Sequence, residues 1–249
     1  MKLQLCTWPM VESYLERSRT ILIPIGSTEQ HGPNGYLGTD AICPEAVAAG
    51  VGEGLELLVA PTIQVGMAQH HMRFPGSITL RPTTLIAVLT DTIESLALHG
   101  FEQLYFINGH GGNSATIHAA FAEYHAAGSL GPARQHRLVV TYLHNWWQGP
   151  RVREYSNRHF GRAEGSHATP SEVSLTYHVY PPSFETAPLS PEVAPQGEFH
   201  DADDFRERFA DGRIGSNPAL ASAAHGAEIY RAAIADVIED LERLGIRQD

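Results

Sequence analysis

Short apolar runs alternating with helix-spaced segments constrain this chain more than any other feature. The runs at 20–25, 57–63, 104–107 and 137–143 have the length of buried strands, and helical patterns at 9–17, 41–52, 83–99 and 114–127 lie between them. Strict alternation of this kind builds βαβ units and therefore a mostly parallel sheet. With 249 residues, 43% of them hydrophobic, the chain can fill one large α/β core. A single domain over 1–249 is expected.

Asp40 and Asn113 stand where N-caps are expected. The segment at 74–80, FPGSITL, reads as a short edge strand, because Pro75 and Gly76 would disrupt a central one. From 148 to 195 the pattern loosens and is punctuated by prolines, as in a long excursion over one face of the sheet. The stretch at 219–244, with Ile229, Ile234, Val237, Ile238 and Leu241 at helical spacing, predicts a terminal amphipathic helix.

A formal net charge of -11, with lysines and arginines scattered singly, argues against a nucleic-acid or anionic-membrane surface. The two cysteines, Cys6 and Cys43, make neither a CxxC motif nor a disulfide framework, which suits a reducing, cytoplasmic setting. No apolar stretch approaches the ~20 residues that span a bilayer, and the N-terminal segment acquires charge too early for a signal peptide. A small-molecule substrate is the expected partner.

The chemistry concentrates in loops that follow strands, where open parallel sheets collect their ligands. The first, GSTEQHGPNGYLGTD at 26–40, carries Glu29, His31 and Asp40 among four glycines. Glu29 and His31, two residues apart in an extended segment, would face one cleft. The second, NGHGGN at 108–113, carries His110. Neither loop matches a phosphate-binding glycine pattern. Together Glu29, His31, Asp40 and His110 suggest a metal site, although an Asp before a helix is also a common cap. A third segment, EGSHATPSEVS at 164–174, adds His167 and Glu172. Pro170 at a first helical position puts Glu172 in the opening turn, where a carboxylate suits the helix dipole whatever else it does. Glu29, Asp40, Glu172 and a bridging hydroxide would neutralise two divalent ions.

In order and spacing, PIGSTEQHGPNGYLGTD, FPGSITL, NGHGGN and GSHATPSEVSL resemble the motifs of the creatininase (creatinine amidohydrolase) family. The resemblance implies a three-layer α/β/α fold, a binuclear metal centre and a homo-oligomer, often a hexamer. It makes Glu29 and His110 ligands of one ion, His31 a ligand of the other and Asp40 the bridge. His167 matches the family histidine beside the scissile amide. Creatininase carries a tyrosine and a metal-binding glutamate where this chain has Gly111 and Gly112, so Glu172 becomes the proposed second-site ligand. Its tryptophan and aspartate shortly before the catalytic histidine correspond to Ala163 and Glu164. Glu164 and His71 are expected to line the substrate cleft. The glycine form of the loop looks more like the wider family, which includes formamide hydrolases and a peptidase of a redox-peptide pathway.

Imidazole and carboxylate ligands without sulfur suit zinc, manganese or ferrous iron. The expected reaction is metal-dependent hydrolysis of a C–N bond in a cyclic or linear amide or a formamide, with His167 protonating the leaving nitrogen. Peptidase activity on a modified peptide, or a catalytically silent binding protein, is the alternative. A phosphoesterase would need a cation beside the ligands, and Arg73 is the nearby candidate. Trp146 and Trp147 are read as core or subunit contacts.

Overall fold

In the computed structural model, which describes residues 1–131 and 137–246, four parallel strands form one sheet in the order β2-β1-β3-β4. They are β1 (Thr20–Ile25), β2 (Leu58–Val59), β3 (Gln103–Asn108) and β4 (Val140–Asn145). Helices α1 (Trp8–Leu15), α2 (Thr39–Gly54), α3 (Pro82–His99), α4 (Ser114–Leu130), α5 (Pro150–His159), α6 (Pro170–Val179), α7 (Ala202–Arg208) and α8 (Ala223–Arg243) complete the order.

All six residues of β1 are buried, and their alternation divides the core between the two sheet faces. Ile21, Ile23 and Ile25 pack with Leu89 and Ile93 of α3 and with Ile117 and Phe121 of α4. Leu22, Tyr105 and Ile107 point the other way, to Val47 and Val51 of α2 and Ile229 and Val237 of α8. The result is the expected α/β/α sandwich.

Several boundaries differ from the sequence reading. Regular pairing in the second strand stops at Val59, although Ala60 and Ile63 still donate to the Leu22 and Pro24 carbonyls. The fourth strand begins at Val140, where it pairs with Gln103. The segment at 74–80 makes one isolated antiparallel bridge, Thr28 with Ile78, after a bend at Gly76 (φ 93°). Asp40 is the second residue of α2 and does not cap it. Asn113 precedes α4, but its side chain donates to the Gly26 carbonyl and accepts from the Met67 amide. The supposed excursion contains α5 and α6, and Val152 and Leu175 from them join the core layer of α2 and α8. The terminal helix is present as expected. Among the described residues no helix is long and apolar enough to cross a membrane.

Candidate metal centre

The carboxyl ends of β1 and β3 meet the first turn of α2 so closely that only glycine fits. A Cβ on Gly26 would lie 2.0 Å from the Asp40 carbonyl oxygen, and one on Gly109 would lie 1.9 Å from the same atom. This approach carries the Asp40 side chain between the loops that follow the two strands. It also places a carboxylate at a helix N-terminus, where the dipole favours it.

Asp40 faces two histidines with its two oxygens. Oδ1 lies 3.0 Å from His31 Nε2 and Oδ2 lies 2.9 Å from His110 Nδ1. Glu29 Oε1 is 3.3 Å from His110 Nδ1, and Glu172 Oε1 is 3.9 Å from His31 Nε2. Glu29, Asp40 and His110 thus form one group of potential ligand atoms, and His31, Asp40 and Glu172 form a second, with Asp40 common to both. A third group, Glu29, His31 and His167, takes one member from each of the other two.

The surrounding contacts suit a cation. His31 donates from Nδ1 to the Glu29 carbonyl (3.0 Å) and His110 from Nε2 to the Met67 carbonyl (2.9 Å), so each turns its other nitrogen toward Asp40. Both Glu29 oxygens and Asp40 Oδ2 are buried and, apart from the imidazoles that face them, have no hydrogen-bond donor, a pattern that in a native core suits a cation or solvent partner.

Burial pushes the Glu29 carboxyl up, against the pull of His110. Burial alone would lower His31 and His110, but Asp40 holds the first at about 10, and Glu29 with Asp40 holds the second at about 9. Asp40, despite burial, sits far below the usual carboxylate range because both imidazoles face it. Protons on these histidines balance the acids, and divalent ions could take over that role. Glu172 is raised to about 7, chiefly by burial.

Glu172 has a second duty in the opening turn of α6. Its Oε1 accepts the Thr169 amide (2.6 Å), while its own amide donates to Thr169 Oγ1 (3.2 Å), a reciprocal capping box. A side chain at Gly112 would collide with His110, its Cβ falling 2.4 Å from Nε2. In this backbone the loop therefore offers no ligand at that position.

His71 and His167 stand behind and beside Glu29, with His71 Nε2 at 3.1 Å and His167 Nδ1 at 3.9 Å from Oε1. Burial and neighbouring histidines drive His167 well below its ordinary pKa, and burial lowers His71 to about 2. The shift favours a neutral imidazole, whereas the sequence reading assigns His167 the protonation of the leaving nitrogen. Gln30, to which that reading gave no role, links the two imidazoles. Its Nε2 is 2.9 Å from His71 Nδ1, and its backbone oxygen accepts from His167 Nε2 at 2.8 Å. The extended spacing that singled out Glu29 and His31 hid the residue between them.

A cleft of about 490 Å³ opens over these groups. Asp40, His71, His110, Glu164, His167 and Glu172 all reach it, with Trp146 and Trp147 on its wall. Trp146 is also core, at 1% exposure. Burial raises Glu164 to about 7. Arg73 is tied to Asp203 on the surface and does not line the cleft, so the cation that a phosphoesterase would need is not supplied by it.

Among curated proteins the chain is 38% identical over 121 residues to a mycofactocin precursor peptide peptidase of Mycobacterium tuberculosis (45% of this chain, 48% of that protein). It is 34% identical over 117 residues to a creatinine amidohydrolase of Pseudomonas putida (45% of each). The match spans about half the length of these relatives. A crystal structure of creatinine amidohydrolase superposes with a TM-score of 0.82 at 24% identity, covering 98% of this chain and 97% of that one. Two further creatininase structures share the fold. One is of zinc–zinc type (TM-score 0.79, 23% identity, 98% and 97% covered), and the other is a manganese form (0.77, 25%, 98% of each). The family model for creatininase, described as creatinine amidohydrolase, matches residues 4–241. The chain belongs to the creatininase family.

Proposed function

We propose that the protein is a metal-dependent amidohydrolase that cleaves a C–N bond in a small amide or formamide. The observation that carries this reading is the sharing of Asp40, whose two oxygens face His31 and His110 in two separate ligand groups. In this reading Glu29, Asp40 and His110 hold one divalent ion, and His31, Asp40 and Glu172 hold the other. Zinc or manganese fits the donor set, with ferrous iron also compatible. Bound ions would supply the Lewis acidity that lets water attack an amide at neutral pH.

The chain's own residues handle the proton and the substrate. His167 donates Nε2–H to the Gln30 carbonyl and, being neutral, turns an unprotonated Nδ1 toward Glu29. It can take up a proton there during attack and return it to the departing nitrogen, acting as base and then acid. Burial of Glu29 and His71 keeps bulk water from competing for these contacts.

Hydrolysis of a modified peptide is the second reading, in keeping with the peptidase named among the relatives. It is favoured by space, because a Cβ added at Gly111 on the cleft wall would meet nothing within 4 Å. A homo-oligomer, hexameric by family resemblance, and a cytoplasmic location belong to the same proposal, and light scattering tests the first. The central experiment screens cyclic amides, linear amides, formamides and short peptides against protein reconstituted with zinc or manganese. Release of amine that depends on added metal is expected; no turnover of any of these classes would reject the reading.

A further inference from the structure

The cleft has a polar wall formed by α5, on which Arg153, Ser156 and Asn157 recur at the spacing of one helical face. Arg151 is paired with Asp236 and Glu239, and Arg158 is paired with Glu154. Arg153, on the same helix, has no ion pair among the described residues, and its side chain reaches the cleft. Ser156 is only 6% exposed, lines the same cleft, and its buried Oγ has no hydrogen-bond partner. On a chain of net charge -11, an unpaired guanidinium above a carboxylate-rich site marks a place for an anion. A hidden hydroxyl without a partner beside it marks a place for an acceptor.

We infer that Arg153 and Ser156 bind a carboxylate of the substrate, so that the natural substrate is an acidic amide of the acyl-amino-acid or peptide C-terminus class. This deepens the amidohydrolase reading and rests on it for the location of the scissile bond. A guanidinium grips a carboxylate through two parallel N–H donors, which also orients the chain that carries it. The α5 wall would then set the distance between the anionic end and the amide.

Isothermal titration of the zinc-loaded protein tests the assignment without requiring turnover. The probes are N-acetylglycine, N-acetyl-β-alanine and N-acetyl-γ-aminobutyrate, with N-methylacetamide and acetate as controls for the amide alone and for a carboxylate bound directly at the ions. Arg153→Met should weaken the best acyl-amino acid by about 10–100-fold, as expected for a lost charge-assisted bond. Both controls should bind unchanged. Ser156→Ala should weaken the same probe by a smaller factor, and Arg153→Lys should restore part of the loss. Metal content and melting temperature confirm that each variant is intact. If no acyl-amino acid distinguishes wild type from Arg153→Met, or if the controls weaken equally, the assignment is overturned. Arg153-dependent binding without cleavage of any bound probe would instead count against the amidohydrolase reading and leave the anion site standing.

Discussion

Gln30 Nε2 lies 2.9 Å from His71 Nδ1, and this contact sets which nitrogen of His71 carries the proton. The Gln30 carboxamide is pinned at both ends, because Oε1 accepts the Gly32 amide (2.8 Å) and Nε2 donates to the Gly212 carbonyl (2.9 Å). Its remaining hydrogen goes to His71 Nδ1, so neutral His71 carries Nε2–H and points it at Glu29 Oε1. The equally short approach of Gln30 Nε2 to His167 Nε2 is then one of two donors. The alternative would set an imidazole lone pair against the Gln30 carbonyl at 2.8 Å. A glutamine between two proposed ligands thus orients Glu29 through His71. Gln30→Leu should weaken metal binding by roughly 10–100-fold, the usual cost of losing an outer partner. Chelator competition measures this, and an unchanged affinity would remove Gln30 from the support of the site.

Asp40→Ala should cost most of both ions, because no other proposed ligand takes part in both groups. Elemental analysis of purified protein is the check. About two equivalents per chain are expected in wild type, and an unchanged content in the variant would end the bridging role. Circular dichroism should show the fold retained, since Asp40 does not cap α2 and belongs to neither apolar core cluster.

Glu172→Gln separates two roles that one side chain holds. A glutamine oxygen can still accept the Thr169 amide, so the capping box, worth about 1 kcal/mol, should survive and the melting temperature should hold. Metal occupancy should fall toward one ion. Two ions retained in the variant would leave Glu172 as a cap and nothing more.

The proposed ligands were legible because each stands beside a strong local signal: a strand end for Glu29, His31 and His110, a helix start for Asp40 and Glu172. The parallel sheet was legible for a related reason, since its buried runs alternate with helix periods. What sequence spacing could not convey is how loops fold across one another. Gln30 acquires its role from Gly212, far along the chain, and Asn113 spends its side chain on Gly26 instead of a cap. The segment at 148–195 looked irregular because its prolines outweighed two short helices, α5 and α6, that earn their stability by packing on the core. Titration of His167 likewise depends on burial among His71 and His31, which a motif does not display.

The stability of the protein should carry a signature of Glu164. Burial raises its folded pKa to about 7 from the ordinary 4.5, so between those values the folded state binds the proton more tightly than the unfolded chain does. Stability from this group is present at the acid end and declines as pH rises from about 4.5 through about 7. Glu164→Gln should flatten that slope and make the protein relatively more stable above neutral pH. Denaturant midpoints from pH 4.5 to 8, wild type beside variant, decide it; parallel curves would mean that Glu164 ionises as freely as an exposed carboxyl.

The last prediction separates a proton carrier from a metal ligand at His167. Its Nδ1 belongs to a possible ligand group with Glu29 and His31, so geometry alone allows either part. By family resemblance His167 would stand beside the scissile bond, and each of the two groups that share Asp40 has three candidate donors without it. His167→Ala should therefore keep both ions and lower kcat by roughly 10²–10⁴-fold, the range for a lost general acid–base group. KM should move little, because the side chain is held by Gln30 and need not contact ground-state substrate. The loss should shrink for activated anilides, whose leaving amines need little protonation. Once a substrate is found, kcat for a series of amides of graded leaving-group basicity is measured in both proteins, together with their metal content. A uniform loss across the series would make His167 a positioning group, and a drop to one ion would make it a ligand.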